Sequence, residues 1–326
     1  MGFFKTDISD KIDTYAEMHK GDFMAKGDRK DGTLVHSDDP MHLIMPFIMG
    51  SRADNEAVLN ATYDMTEVTK YLEEKNSAHP EHKYTIFHVV IAALAKTIYN
   101  RPKMNRFIIG HRHYQRKEIS FCFTAKNKMA DNAGEFVMTL VAEDDGKSLV
   151  DQIHDKICNE VYRTRQEANS GNTDSNDTNK VISIFNKIPR PVLRLVIRFL
   201  FWLDYHDWMP KAIKDVDPYR ATVFISNLGS IKLEASYHHL INWSLNSFFV
   251  LANRMYKQPF FHEDGTYEMK DGMSFGFTID ERIADGFYFA KTLYMFKNIL
   301  LHPECLDDAI SEPLTKYMSE DEWYNY

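Results

Sequence analysis

The chain has 326 residues with 44% hydrophobic and 13% aromatic content, ample for one large core or two smaller ones, which excludes a disordered protein. Its formal net charge of −8 and isoelectric point near 6.0 exclude the clustered basic surface that a nucleic-acid binder needs. Cys122, Cys158 and Cys305 are too widely spaced for a disulfide framework or a metal cluster, so they read as buried thiols of a protein in a reducing compartment.

The N-terminus lacks the apolar stretch of a secretory signal and soon turns acidic, which points to the cytoplasm. Residues 1–40 are rich in Lys, Asp and Gly and are expected to form an extended arm. Met41 to Met49 is apolar and leads to Arg52. Ala57 to Met65 alternates as a strand does, and Thr66 opens a helix to about Glu74, before the loop at His79-Pro80. Tyr84 to Tyr99 places Ile86, Val89, Val90, Ala93, Leu94 and Ile98 at helical spacing, a packed core helix in which His88 reads as a packing residue.

Residues 107–126 and 135–142 read as strands, punctuated by Gly110 and then by Asn132 and Gly134. His111 and His113 stand two apart, a spacing that can chelate a metal from a strand, but no third ligand is near and solvated polar residues are the preferred reading. Gly146-Lys147-Ser148-Leu149 opens a helix through about Ala168, and Asn169 to Lys180 is a polar loop. Pro191 starts a helix over Val192–Tyr205, within an apparent insertion at about 170–217. Arg190, Arg194 and Arg198 share one stripe of it and apolar residues cover most of the rest. Subunit packing is the preferred reading of 190–205, with membrane-surface contact or a lid over an acyl chain as the alternatives. The longest apolar run, Leu195 to Leu203, is interrupted by Arg198 and falls short of the ~20 residues that span a bilayer.

Ala221 to Ile225 is a β-branched strand running into Ser226-Asn227-Leu228-Gly229-Ser230, where a serine suits the turn. His238 and His239, if in a strand, point to opposite faces and cannot share a metal ion. Phe248 to Tyr256 and Tyr267 to Met269 complete the strands, and the tail 311–326 reads as acidic and solvated.

The most informative stretch is Met273 to Phe287. Phe275, Phe277 and Ile279 fall on one strand face, Gly286 supplies backbone freedom at a turn, and Phe287 to Leu301 is helical until Pro303 stops it. Asp280, Glu281, Arg282 and Asp285 are thereby crowded at one corner. The sequence contains no Gly-rich phosphate loop, Gly-x-Ser-x-Gly elbow or paired-Cys zinc motif.

Asp280-Glu281-Arg282-Ile283-Ala284-Asp285-Gly286 resembles the His-x-x-x-Asp-Gly signature of the chloramphenicol acetyltransferase-like fold, shared with the dihydrolipoyl acyltransferase catalytic domain of 2-oxoacid dehydrogenases, in which Asp often precedes the His and Arg follows it. Ile225-Ser226-Asn227-Leu228-Gly229 is similar to a second motif of that family. Pro102 to Asn105 and the helix opening at Gly146 resemble weaker ones. The departure is Glu281, which stands where the family has its catalytic histidine.

The resemblance covers roughly residues 60–168 and 218–306 and implies an α/β two-layer sandwich with a mixed β-sheet, one catalytic domain over 41–310, assembled as a homotrimer with active sites between subunits. The 40-residue arm is too short for a lipoyl domain. By the same resemblance Ser226 donates to the oxyanion, Asn227, Gly229 and Gly286 shape the turns, and Asp285 pairs with an arginine nearer the N-terminus, for which Arg52 is the candidate. Acyl-CoA is the implied co-substrate, with no tightly bound cofactor and no metal.

Acyl transfer needs a base, and a histidine with a reference pKa of ~6.5 serves better near neutrality than a glutamate at ~4.3. Two readings follow. The preferred one is a CoA-dependent acyltransferase with an unknown acceptor, using Glu281 or, instead, His238 or His239 as base. The other is a non-catalytic trimeric scaffold that keeps the fold.

Overall fold

The computed structural model describes residues 27–36, 40–126, 135–169, 188–234 and 237–319. In chain order the first half contains β1 (Gly32–Leu34), α1 (Pro40–Ile48), β2 (Glu56–Asp64), α2 (Thr66–Ser77), α3 (Ile86–Asn100), β3 (Arg106–Ile109), β4 (Arg112–Arg116), β5 (Ile119–Lys126), β6 (Glu135–Ala142) and α4 (Leu149–Asn169). The second half contains α5 (Arg190–Tyr205), α6 (Lys211–Lys214), β7 (Val223–Asn227), β8 (Phe248–Phe261), β9 (Tyr267–Asp280) and α7 (Gly286–Leu301), with short 3-10 turns between several of them.

The two-residue alternation of β9 builds the centre of the molecule. Phe275, Phe277 and Ile279 are fully buried, the first two meeting Phe296 of α7 edge to face, while β8 on one side and β2 on the other complete the ladder. The resulting mixed sheet has the order β2-β9-β8-β7-β5-β6, with β7 parallel to both β5 and β8 and the remaining pairs antiparallel. One face is covered by α2, α3, α4 and α7, whose buried residues form a single core with Val223, Ile225, Val250 and Ala252. The opposite face carries a smaller cluster of Cys122, Phe224, Leu240, Phe249 and Leu251. The result is the expected α/β arrangement of helices on a mixed sheet.

A second sheet, β1-β4-β3, packs around Phe107 and Tyr114, whose rings stack at 5.4 Å. It draws residues 28–34 into the fold, so this part of the expected arm is structured, while residues 1–26 lie outside the described residues. Arg29 is buried and donates to the Asp204 carbonyl at 2.7 Å and to Asp31 at 2.9 Å. Burial alone would raise the Asp31 carboxyl, but Arg29 and Arg220 hold it well below the usual carboxylate range. This network ties the N-terminal strand to α5.

Residues 107–126 form strands punctuated at Gly110 as expected, three of them, because Gly110 and His111 both take left-handed conformations and turn the chain, but other expectations are corrected. The Tyr205 ring lies over Gly110 so closely that an added Cβ would be 2.5 Å from it. His113 is buried, not solvated, and donates from Nε2 to the Arg282 carbonyl at 2.9 Å. The chain does not leave the core at Ser311, since Leu314 and Met318 are buried; residues 320–326 lie outside the described residues, as does most of the loop expected at Asn169 to Lys180.

Helix α5 forms as expected, but only Leu200 and Asp204 are buried. Val192, Leu195, Phe199, Trp202 and Tyr205 are exposed on the single chain, as are most side chains of α1. Among the described residues no helix is long and apolar enough to cross a membrane, and no group of His, Cys, Asp and Glu is placed to hold a metal.

His88 closes the first turn of α3, where its Nδ1 accepts the Thr85 N–H at 3.1 Å. Burial, with His154 beside it, pushes the imidazole down to about 4. The unfolded chain therefore takes up this proton at a higher pH than the folded one does. Stability is complete above the unfolded value of ~6.5 and is lost as pH falls towards 4, by on the order of 3 kcal/mol. Thermal melts should show a falling midpoint across that window, and His88→Asn, which keeps an acceptor without a titrating proton, should flatten it.

Candidate active site

The charged corner after β9 is built around Asp280, which is 0% exposed. Its carboxylate accepts Nε and Nη2 of Arg282, both at 2.8 Å, in a two-pronged pair, and the Arg282 backbone N–H at 3.2 Å. Arg52 lies on the other side, with Nε 3.6 Å from Asp280 and Nη1 donating to the carbonyls of Ile241 at 2.9 Å and Ser244 at 3.0 Å. Arg282 also donates to the Met49 carbonyl at 3.0 Å, which fastens the end of α1 to this turn. Burial pulls the Arg52 guanidinium down and Asp280 opposes it. Arg52 therefore pairs with Asp280, and the arginine contact expected for Asp285 is not made through it. Asp285 instead caps α7, accepting the Tyr288 N–H at 2.8 Å.

Glu281 follows in a 3-10 turn, exposed, with its backbone N–H donated to the Asn55 carbonyl at 2.9 Å. Asp280 and Met49 engage the neighbouring guanidinium, so Arg282 does not turn towards it. Gly286 is the first residue of α7 with an ordinary negative φ and open space where a Cβ would stand. Its expected role as a conformational pivot is not needed here.

Ser226 lies near the end of β7, half-buried. Strand alternation puts it on the face of Phe224, opposite the helices. The turn after it is shaped by Asn227, whose Oδ1 accepts the Ser230 N–H at 3.3 Å. Gly229 lets that turn press on β8, because a Cβ there would stand 3.1 Å from the Asn253 carbonyl oxygen.

Ser226, Leu251 and Gly276 form one row across the sheet. Glu281 is five residues beyond Gly276 in the sequence, roughly 17 Å along the strand and about 10 Å across two strand spacings. Within one chain Glu281 and Ser226 do not meet.

His238 and His239 sit in an irregular segment rather than a strand, and their rings stack on each other at 4.4 Å instead of facing apart. His238 also stacks on Phe249 at 4.4 Å, on the sheet face that Ser226 shares. Its Nδ1 donates to the His239 carbonyl at 2.7 Å, since a carbonyl can only accept, which leaves Nε2 as the basic nitrogen.

Sequence reasoning missed Asn253. An asparagine directly after the apolar run Phe248 to Ala252 was the available signal, and it marks a break in the β8–β9 register between Ala252 and Met255.

The family model described as 2-oxoacid dehydrogenases acyltransferase (catalytic domain) matches residues 210–306. Among solved structures, the chain is similar to the cubic core of the pyruvate dehydrogenase multienzyme complex, with 15% identity and a TM-score of 0.53 over 83% of this chain and 94% of that one. It is similar to a probable dihydrolipoamide acetyltransferase from Listeria monocytogenes, with 15% identity and a TM-score of 0.52 over 85% and 96%. The dihydrolipoamide acetyltransferase of Azotobacter vinelandii aligns at 14% identity with a TM-score of 0.52 over 83% and 94%. None of the curated protein sequences matches. Fold and sequence pattern agree on the same catalytic domain: the chain has the fold of the 2-oxoacid dehydrogenase acyltransferase core, and its residues 210–306 carry that family's pattern.

Proposed function

We propose that the protein transfers an acyl group from a CoA thioester to an acceptor, in sites between the subunits of a homotrimer where Glu281 of one copy faces Ser226 of the next. The observation that carries this reading is the sheet register, which holds the two residues at separate surfaces of one chain while leaving both open to a neighbour. The similar solved cores, which act as dihydrolipoamide acetyltransferases or form a multienzyme core, support the reaction class and the assembly.

In the reaction Glu281 takes the proton of the acceptor hydroxyl or thiol as that atom attacks the thioester carbonyl. The tetrahedral oxyanion takes a hydrogen bond from the Ser226 hydroxyl. Collapse breaks the carbon–sulfur bond, and the departing CoA thiolate receives the proton back. Asp280, Arg282 and Arg52 position Glu281 by fixing its turn, and Asp285 fixes the start of the next helix. His238 is a second candidate base, because its Nδ1 is engaged with the His239 carbonyl, which makes Nε2 the basic nitrogen, and its ring lies on the sheet face of Ser226.

Release of CoA from a panel of acyl-CoAs in the presence of small thiols and alcohols tests the reaction, and turnover above the protein-free rate is expected. No release from any donor would leave the trimeric scaffold as the function. Sedimentation should give a trimer at micromolar concentration, and a stable monomer would remove the shared site.

A further inference from the structure

A cleft of about 420 Å³ opens on the helix side of the sheet, where β7 ends, lined by apolar residues that include Phe87, Val90, Met255 and Met273 and by the polar residues Thr85, Asn227, Ser230, Asn253 and Arg254. Apolar walls with a handful of polar groups are the usual make-up of a small-molecule site. Asn253 is 1% exposed, and among the described residues neither its Nδ2 nor its Oδ1 has a hydrogen-bond partner. Leaving both ends of a buried amide unmatched is costly, so such a side chain calls for an explanation other than packing. It sits where the β8–β9 register breaks after Ala252, the next residue's N–H, that of Arg254, donates to the Leu233 carbonyl at 3.0 Å, and Gly229 packs close to the Asn253 carbonyl.

We infer that Asn253 is a binding residue that takes a secondary amide carried on an apolar arm. The ligand N–H is donated to Oδ1, the ligand carbonyl accepts from Nδ2, and the flanking methylenes lie against Phe87, Met255 and Met273. A carboxamide offers this donor and acceptor side by side, which a carboxylate or an ammonium does not. The pantetheine arm of the acyl donor carries such amides between methylenes, an identification that rests on the acyl-CoA reading above; an acceptor that is itself an N-alkyl amide carries the same chemistry.

The probes are free pantetheine for the donor arm and N-butylhexanamide for the acceptor. Binding is followed by calorimetry and by the thermal midpoint of the full-length protein. Wild type should bind at least one probe, and Asn253→Leu should weaken that binding roughly 5- to 150-fold, the range that a lost amide pairing gives. The same substitution should raise the midpoint of the ligand-free protein by a few degrees, because it removes two unmatched polar atoms while keeping the shape, an effect a structural asparagine would reverse. If Leu proves too branched for the bulge, Asn253→Ala carries the binding test alone. Binding unchanged in the variants, a lowered midpoint in Asn253→Leu, or no binding of either probe by wild type overturns the assignment. CoA release measured in parallel separates the two ideas: turnover with no Asn253 dependence sinks only this site, and Asn253-dependent amide binding without turnover sinks the reaction.

Discussion

Glu281→Gln should lower CoA release from acyl-CoA by roughly 10²- to 10⁴-fold, the range that a positioned general base contributes. Glutamine keeps the length and shape of the side chain and removes its basicity. Glu281 is exposed on a turn whose geometry is set by Asp280 and Arg282, so the fold and the melting midpoint should stay within experimental scatter of wild type. Glu281→His puts an imidazole with a reference pKa of ~6.5 on the same turn, the side chain that the resemblance implies for this position. A rate above wild type in the His variant, with no measurable difference between wild type and Gln, would remove Glu281 as base and favour a scaffold that carries the fold without its catalyst. If both variants match wild type, His238→Gln is the next substitution, because it removes the competing base on the Ser226 face.

Asp280→Ala should destabilise the protein by about 3–5 kcal/mol, a large share of a typical net stability of roughly 5–15 kcal/mol. The carboxylate is completely buried between two guanidiniums that are themselves 5% exposed. Removing it leaves two cations close together in a low-dielectric pocket, with the carbonyl oxygens of Ile241, Ser244 and Met49 as the remaining acceptors among the described residues. The midpoint of thermal unfolding should fall by roughly 10 °C or more. Combining Asp280→Ala with Arg52→Met and Arg282→Met should recover most of the loss, since apolar residues of similar volume often replace buried ion clusters without cost. A single Asp280→Ala variant within about 1 kcal/mol of wild type would show that the turn does not depend on the cluster.

The fold was legible wherever periodicity was strong and local. Phe275, Phe277 and Ile279 alternate without interruption and the core helix repeats Ile86, Val89, Val90, Ala93, Leu94 and Ile98 at helical spacing, so both elements could be read directly. Signals that depend on distant partners were not legible. His113 sits in a polar-looking His-Arg-His run, yet its burial comes from packing under the Glu281 turn, some 170 residues away in sequence. Arg52 is named as the partner of Asp285 only through the resemblance, and its pairing with Asp280 instead, more than 200 residues away, follows from the position of the 3-10 turn. Asn253 and the stacked pair His238 and His239 belong to irregular backbone, where neither the two-residue nor the 3.6-residue period applies. Ser226 and Glu281 stand out in the sequence only through a resemblance, whereas their separation within one chain follows from the ladder that links Ser226, Leu251 and Gly276.

The pairing of β2 with β9 joins Glu56 to Asp280, so the edge strand formed early in synthesis can find its partner only after nearly the whole chain has left the ribosome. At about 5–20 residues per second that is a wait of roughly 10–45 s, during which a half-apolar strand has no neighbour in its own chain. Loops of this size make folding slow, because their closure entropy is lost before the contacts that repay it are made. Nascent chains truncated before Tyr267 should therefore depend on chaperones that shield β2, and a circular permutant that places β2 directly after β9 should fold faster from denaturant while keeping the same final structure.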